Sequence, residues 1–509
     1  MQILSRIRPV LAVVAAALMP WVPFSPASAQ SFRVQCPDTT PLHPAVPASG
    51  ATNPVGGQIK CQHIGGGDGF ATMGDGTQIY LFGFAPLSGL GDPANPTTAP
   101  GILTGQPGTQ TPAVFKSTTD PRRARLEPAD IMNNGVLYSN APAPLMAIDE
   151  DDELFLTLSN VGQIMRPDLF EQHTVHFHGY PNASSFFDGV PDASVAINIA
   201  GSFTYYYTAP DAGTYFWHCH IAPPEHLQMG MVGQLFVRPR QNRVASGASL
   251  YTALSDANKA NAVRVTGVAD GTCSDILCTG ATPLPAGVTV GTNDALQPTG
   301  GAKYAYNDGD GSTRYDYDIP IQMMGFDPNF HFVGMTFNPE AFADMKDKYF
   351  LLNGRGYPDT INDNVKNLSA QGIGGNVPDG PLATEGADGA SRPSQPLHSL
   401  ITLDSAAGGK TRALLRLSNL SVTEHTTLAT LGIPMKVIAQ NARLLRDMAG
   451  NNMYYDTNSI TMGGGESTDV ILDATGIPTG TYFLYSTNLD HLSNDAENFG
   501  GMMTEIVVQ

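Results

Sequence analysis

Phe216-Trp-His-Cys-His-Ile-Ala-Pro-Pro-Glu-His-Leu-Gln-Met-Gly-Met231 sets a cysteine between two histidines. A third histidine, His226, follows seven residues after Cys219, and Met231 follows five residues later. A thiolate, two imidazoles and a distant thioether form the ligand set of a blue, type 1 copper site: sulfur suits the cuprous ion and imidazole the cupric ion. Cys219, His226 and Met231 supply three of these ligands from one loop. The fourth has to come from a neighbouring strand, and His173 in His173-Thr-Val-His176-Phe-His178 is the natural candidate.

The remaining histidines make a second pattern. Strand side chains alternate, so His176 and His178 point one way. His218 and His220 also share a face, with Cys219 on the opposite one. Four imidazoles then face one side and the cysteine site lies on the other. Cys219 is joined to His218 and His220 through backbone, a short covalent path between two metal sites. Histidines merely pairing with backbone groups do not explain two His-x-His pairs beside a flanked cysteine. A structural zinc site leaves the Met231 spacing unexplained.

The surroundings of these motifs read as β-structure. Charged residues are only 14% of the 509, while 54 Gly and 39 Pro supply turns, a composition that suits short strands. Leu154–Leu158, Phe203–Tyr207 and Gly233–Val237 are strand-like, as are Ala413–Leu417, Met435–Ile438 and Thr481–Tyr485. Gly213-Thr-Tyr-Phe216 recurs as Gly480-Thr-Tyr-Phe483, and His173-Thr-Val answers His425-Thr-Thr, a weak repeat that points to two copies of one fold. The expected division is a signal peptide over 1–29, an irregular extension over 30–130, a metal-binding domain over 131–240, a linker over 241–317 and a second domain over 318–509. The extension holds a strand-like piece, Gln78–Phe84. The run Asn307-Asp-Gly-Asp-Gly-Ser312 lacks the glycine and distal glutamate spacing of a calcium loop and reads as a solvated turn.

Arg6 and Arg8, an apolar run to Met19 and Ala27-Ser-Ala29 have the form of a secretion signal, implying a periplasmic or secreted protein. No other stretch is long and apolar enough to span a bilayer. Five cysteines fit that compartment: Cys36 with Cys61 and Cys273 with Cys278 are possible pairs, leaving Cys219 over. The formal charge of −19 repels nucleic acid and is compatible with a cationic reductant.

His176-Phe-His178-Gly179, Asp188-Gly-Val-Pro191, Gly213-Thr-Tyr215 and His218-Cys-His220 together resemble the signatures of multicopper oxidases. The resemblance implies an all-β chain of two cupredoxin-like Greek-key sandwiches, strong over 131–240 and weak over 318–509. It implies an oxidoreductase that takes electrons from a small-molecule or metal-ion reductant and passes them to dioxygen. His173, Cys219, His226 and Met231 would hold type 1 copper; His176 looks like a type 2 ligand, and His178, His218 and His220 like type 3 ligands.

The chain departs from the family in having two His-x-His pairs where a full cluster takes four. Aligned on the repeat, Leu428 and Thr430 stand where His176 and His178 would be, and Tyr485, Ser486 and Thr487 where His218, Cys219 and His220 would be. The second domain on this alignment has lost its metal ligands. His43, His63, His331, His398, His425 and His491 are isolated and read as structural or exposed. The missing half-cluster is completed by stray histidines, by a partner subunit as in a homotrimer, or not at all. The long loop from Cys219 to His226 keeps open a copper nitrite reductase-like enzyme, and a non-enzymatic blue-copper electron carrier is the third reading.

Overall fold

Short β-branched and aromatic runs parted by Gly, Pro and Asn become strands. The computed structural model describes residues 36–37, 39–43, 59–87, 131–132, 135–180, 184–243, 303–335, 342–361, 384–385, 391–392, 399–447 and 450–509. The signal-like segment, His398 and the pair Cys273 and Cys278 lie outside these residues. Cys36 and Cys61 form a disulfide, and Cys219 is free and buried.

The first sandwich uses β1 (Ile59–Thr72), β2 (Gln78–Pro86), β3 (Met146–Asp149), β4 (Glu153–Gly162), β5 (His176–Phe177), β6 (Ser202–Thr208), β7 (Gly213–His218) and β8 (Val232–Arg238). One sheet runs β2-β1-β4-β6 and the other β3-β8-β7-β5. Their inner faces bury Phe82, Phe84, Leu156, Phe177, Tyr205, Trp217 and Leu235 in one core. At about 25 cal/mol per Å² of apolar surface, each of these side chains contributes about 2 kcal/mol. The expected irregular extension over 30–130 is therefore corrected: β1 and β2 are half of one sheet. The glycine run Gly65-Gly-Gly67 hid a strand in which β1 pairs with β4 on one side and β2 on the other.

The expected linker over 241–317 is corrected at its described ends. Gln241 and Asn242 bond to Asp308 and Tyr304, which belongs to the ribbon of β9 (Lys303–Tyr304) and β10 (Arg314–Tyr315). Asp308 is fully buried and accepts from the amides of Gly311 and Thr313, so the run at 307–312 is a carboxylate-braced turn rather than a solvated one.

The second domain starts with β11 (Tyr317–Phe326) and β12 (Tyr349–Leu352). A small ribbon follows, β13 (Thr384–Glu385) and β14 (Ser391–Arg392). Then come β15 (Ile401–Leu403), β16 (Arg412–Asn419), β17 (Thr426–Thr430), β18 (Met435–Gln440), β19 (Arg443–Leu444) and β20 (Tyr455–Thr457). The chain closes with β21 (Ser459–Met462), β22 (Ser467–Asp473), β23 (Gly480–Ser486) and β24 (Met503–Val508). The order β12-β11-β16-β22 repeats β2-β1-β4-β6, and β15-β24-β23-β17 repeats β3-β8-β7-β5, down to the parallel pairings of β1 with β4, β11 with β16, β3 with β8 and β15 with β24. The fold is all-β, with one sandwich built twice.

Register corrects the sequence alignment by one residue. His176 stands opposite His218, and Ala429 stands opposite Tyr485. Phe177 faces Trp217 as Thr430 faces Leu484. The counterparts of His176 and His178 are thus Ala429 and Leu431, and Thr426, not His425, matches His173. A one-residue slip in a strand exchanges its two faces, so the correction changes what the second domain is seen to keep.

The outer face of β7 and β8 packs on β16 and β22. Thr214 donates to Asp469 at 2.6 Å, Ser467 donates to the Thr214 carbonyl at 2.7 Å, and Gln234 donates to Ser418 at 2.7 Å. Arg416 is fully buried, paired with Asp318 at 2.9 Å and stacked 4.4 Å over Phe236. Among the described residues, no helix is long and apolar enough to cross a membrane.

Asp347 is a further tie, accepting from Gln228 at 2.9 Å and from Thr423 at 2.5 Å. Burial lifts its carboxyl to about 6. A carboxyl raised in the folded state contributes stability that is complete below pH 4 and is lost as pH rises through 6. Asp347→Asn should flatten the thermal midpoint between pH 4 and 7, removing a slope worth up to about 3 kcal/mol. Parallel profiles of melting temperature against pH for variant and parent would refute the assignment.

Candidate metal centre

Strand alternation does what the sequence reading expected. At β7, Trp217 turns into the core, His218 turns out, and Cys219 turns back in. Two groups of donors result. His173, Cys219 and His226 bring their ligand atoms within 4.8 Å of one another, all buried; His176, His178 and His218 do the same on the other face.

The first group is held by three segments. His173 pairs through its backbone with Ile197, at amide distances of 3.0 and 3.1 Å. Cys219 donates its amide to the Met231 carbonyl at 3.1 Å, and Met231 donates to the His226 carbonyl at 2.8 Å. His226 rides on the short helix α1 (Pro223–Gln228), whose two prolines start it and account for the long spacing from Cys219. Met231 is fully buried in the core that holds Cys219. His226 Nδ1 lies 3.2 Å from Cys219 Sγ, and the Thr174 amide donates to that sulfur at 3.4 Å.

The electrostatics favour a thiolate. Burial alone would raise the Cys219 thiol, but His226 and His173 beside it outweigh burial and hold it well below the usual thiol range. Burial alone would lower His226; the Cys219 sulfur and Glu171 reverse this and push it up to about 10. Both ring nitrogens of His173 are buried with no hydrogen-bond partner. A buried imidazole without a hydrogen-bond partner is costly, and a metal ion held among His173, Cys219 and His226 would give His173 one. Soft sulfur, two imidazoles and a thioether in one apolar pocket fit copper.

In the second group, His178 Nε2 and His218 Nε2 are 2.9 Å apart. The Nδ1 atoms of His176 and His218 donate to the carbonyls of Asp188 and Cys219, at 2.8 and 2.6 Å, which turns their Nε2 atoms toward the shared space. Burial holds His218 down to about 3 and, with help from His176, His178 down to about 4, so both are neutral donors at pH 7. His220 stands beside them, its ring centroid 5.0 Å from that of His176. Gly189 permits this arrangement: at φ +84°, a Cβ there would lie 1.9 Å from the Val175 carbonyl oxygen, so only glycine lets the Asp188 turn rest on β5.

Several supporting residues have no motif in the sequence. Phe82 of β2 sets its ring edge-on to His226 at 5.9 Å, and Gly66 of β1 leaves room for His173, whose Cδ2 a Cβ would meet at 2.8 Å. Glu171 lies 3.5 Å from His226 Nε2 and covers it. His226 is fully buried. An acidic residue two positions before His173 is the only sequence trace of this cover.

The isolated histidines have structural partners or stand apart. His43 bonds Glu153, His63 bonds Ser159 at 2.7 Å, and His331 bonds the Tyr80 and Gln228 carbonyls. His425 is exposed on the rim of an interdomain pocket, and His491 is buried in the second sandwich. Among the described residues none of these joins either group of donors.

Residues 124–242 match the family model for multicopper oxidases. The multicopper oxidase MmcO of Mycobacterium tuberculosis is 30% identical over 106 residues, which is 21% of this chain and 19% of that protein. The multicopper oxidase MCE of Talaromyces pinophilus is 33% identical over 103 residues, 20% and 16% of the two chains. The chain thus matches less than a fifth of the length of these relatives. A solved blue copper oxidase of Nitrosomonas europaea aligns over 88% of this chain and 85% of its own, with 17% identity and a TM-score of 0.48. The segment that matches multicopper oxidases, a family of copper-binding oxidoreductases, is the one that carries every candidate ligand.

Proposed function

We propose that the protein is an exported oxidase that draws electrons from a reductant into its first domain and delivers them to dioxygen. The observation that carries this is the pair of donor groups on opposite faces of β7, joined through Cys219 and His218. Copper, when bound, supplies the one-electron chemistry that links a reductant to dioxygen. His173, Cys219, His226 and Met231 would hold the type 1 ion; His176, His178, His218 and His220 would hold the second centre.

The chain's own residues perform the remaining tasks. The core around Cys219 excludes water, with Phe82, Trp217 and Tyr205 as its walls. Glu171 orients the His226 ring and offers the reductant a negative contact next to it. The peptide from Cys219 to His218 fixes the separation of the two centres. A pocket of about 350 Å³ opens onto His178 and Phe216 from the first domain and onto Leu420, Glu424 and His425 from the second, which gives a small oxidant access. Four histidines in one cluster favour an oxidase over an electron carrier, which needs only the first group.

Copper-loaded protein should hold more than one copper per chain, with an intense blue band and a second paramagnetic signal. Exactly one type 1 ion, with no further copper, would leave only an electron carrier. Cys219→Ser should abolish the blue band and oxygen consumption together; oxygen consumption persisting in the colourless variant would refute the electron path. Glu171→Gln should keep the blue band while lowering kcat/KM for a cationic reductant about tenfold, the weight of one charge contact of about 1.4 kcal/mol. Unchanged kcat/KM would remove Glu171 from reductant binding.

A further inference from the structure

The second sandwich repeats the metal loop of the first as well as its strands. Ser486 ends β23 at the position that Cys219 takes directly after β7, and its amide donates to the Met502 carbonyl at 2.9 Å, as that of Cys219 does to Met231. Met502 donates to the His491 carbonyl at 2.8 Å, the same distance as from Met231 to His226. His491 rides on one helical turn, Leu489–Leu492, as His226 rides on α1. Ser486 Oγ lies 3.0 Å from His491 Nδ1, where Cys219 Sγ lies 3.2 Å from His226 Nδ1. Glu424 faces His491 Nε2 at 2.9 Å, as Glu171 faces His226 Nε2 at 3.5 Å. Phe350 of β12 stacks on His491 at 4.1 Å, taking the place that Phe82 of β2 holds beside His226. Thr426, in register with His173, completes the set. Ser486, Met502, His491 and Thr426 are all at most 2% exposed.

The two pockets differ in what they leave unpaired. The first leaves both ring nitrogens of the buried His173 without a hydrogen-bond partner, whereas the second has no such nitrogen. Both nitrogens of His491 are engaged, by Ser486 and by Glu424. Serine for cysteine removes the thiolate and installs a short hydroxyl that satisfies the imidazole directly. Threonine for histidine removes the second nitrogen donor.

We infer that the second domain contains a copper pocket of the same design, closed by two side-chain replacements, which takes one copper ion when histidine and cysteine are restored at 426 and 486. His491 and Met502 already stand at the other two ligand positions. The inference rests on the copper reading of the first domain, and the two fail separately.

The test uses the full chain carrying Cys219→Ser, which silences the first pocket, with Thr426→His and Ser486→Cys added. Cupric ion should give this variant a blue band of intensity comparable to the unaltered chain, and one type 1 paramagnetic signal per chain. A folded variant that stays colourless overturns the inference. Should the combined variant fail to fold, Ser486→Cys alone on the Cys219→Ser background, nearly isosteric, is titrated with cupric ion and free imidazole. A thiolate-to-copper absorption band absent from Cys219→Ser supports the pocket, and its absence overturns it. Loss of blue colour in the unaltered chain would instead refute the reading of the first domain, without bearing on these variants.

Discussion

The pairing of β5 with β7 is the constraint on which the first domain depends. His176 lies opposite His218 and Phe177 opposite Trp217. With a side-chain period of two, this register decides at once which residues enter the core and which form the histidine cluster. Shifting β5 by one residue would turn Phe177 outward and bury His176 among Tyr205, Tyr207 and Trp217. The core would lose an aromatic side chain worth about 2 kcal/mol and gain an unpaired imidazole. Hydrophobic burial and metal-ligand geometry therefore select the same register, although they act on opposite faces.

That pairing is only two residues long and is held from outside. The Asp188 turn lies across it through Gly189 and bonds His176. On the far side Gly465 of the second domain packs against His178, where a Cβ would come within 3.0 Å of the ring. β1 and β2 close the other side of the sandwich, with Gly66 against His173 and Phe82 against His226. Small residues at the contacts and large ones in the core thus set the ring positions. The metal pocket is a product of the whole chain and not of one loop.

The ligands were legible in the sequence because their chemistry is rare: few arrangements other than a copper site place Cys219 between His218 and His220. The alternation of faces followed from the strand period alone. The support was not legible. β1 passes through Gly65-Gly-Gly67, which reads as loop, and becomes a strand because β2 and β4 pair with it on both sides. Glu171 and Phe82 lie in ordinary sequence and acquire meaning only when folding sets them beside His226. The repeat was visible in Gly213 and Gly480, but matching His425 to His173 slipped the register by one residue. The histidine identity was a stronger cue to the eye than the pairing energy is to the chain, and it hid the match between Glu424 and Glu171.

Corrected, the register makes the two domains a controlled comparison of how one buried pocket resolves its polar groups. A buried imidazole without a partner, as His173 is in the first domain, costs about 1–3 kcal/mol. The first domain carries that cost as the metal-free protein and is relieved of it by an ion. The second replaces the ion with hydrogen bonds: Ser486 to His491, and His491 to Glu424. Such a pocket is stable without a metal and so contributes to the fold under all conditions. The closed pocket sits in the domain that braces β7 through Thr214 and Asp469. One copy of the fold thus supplies a metal-independent frame, and the other can keep its unpaired ligands open because that frame holds them in place.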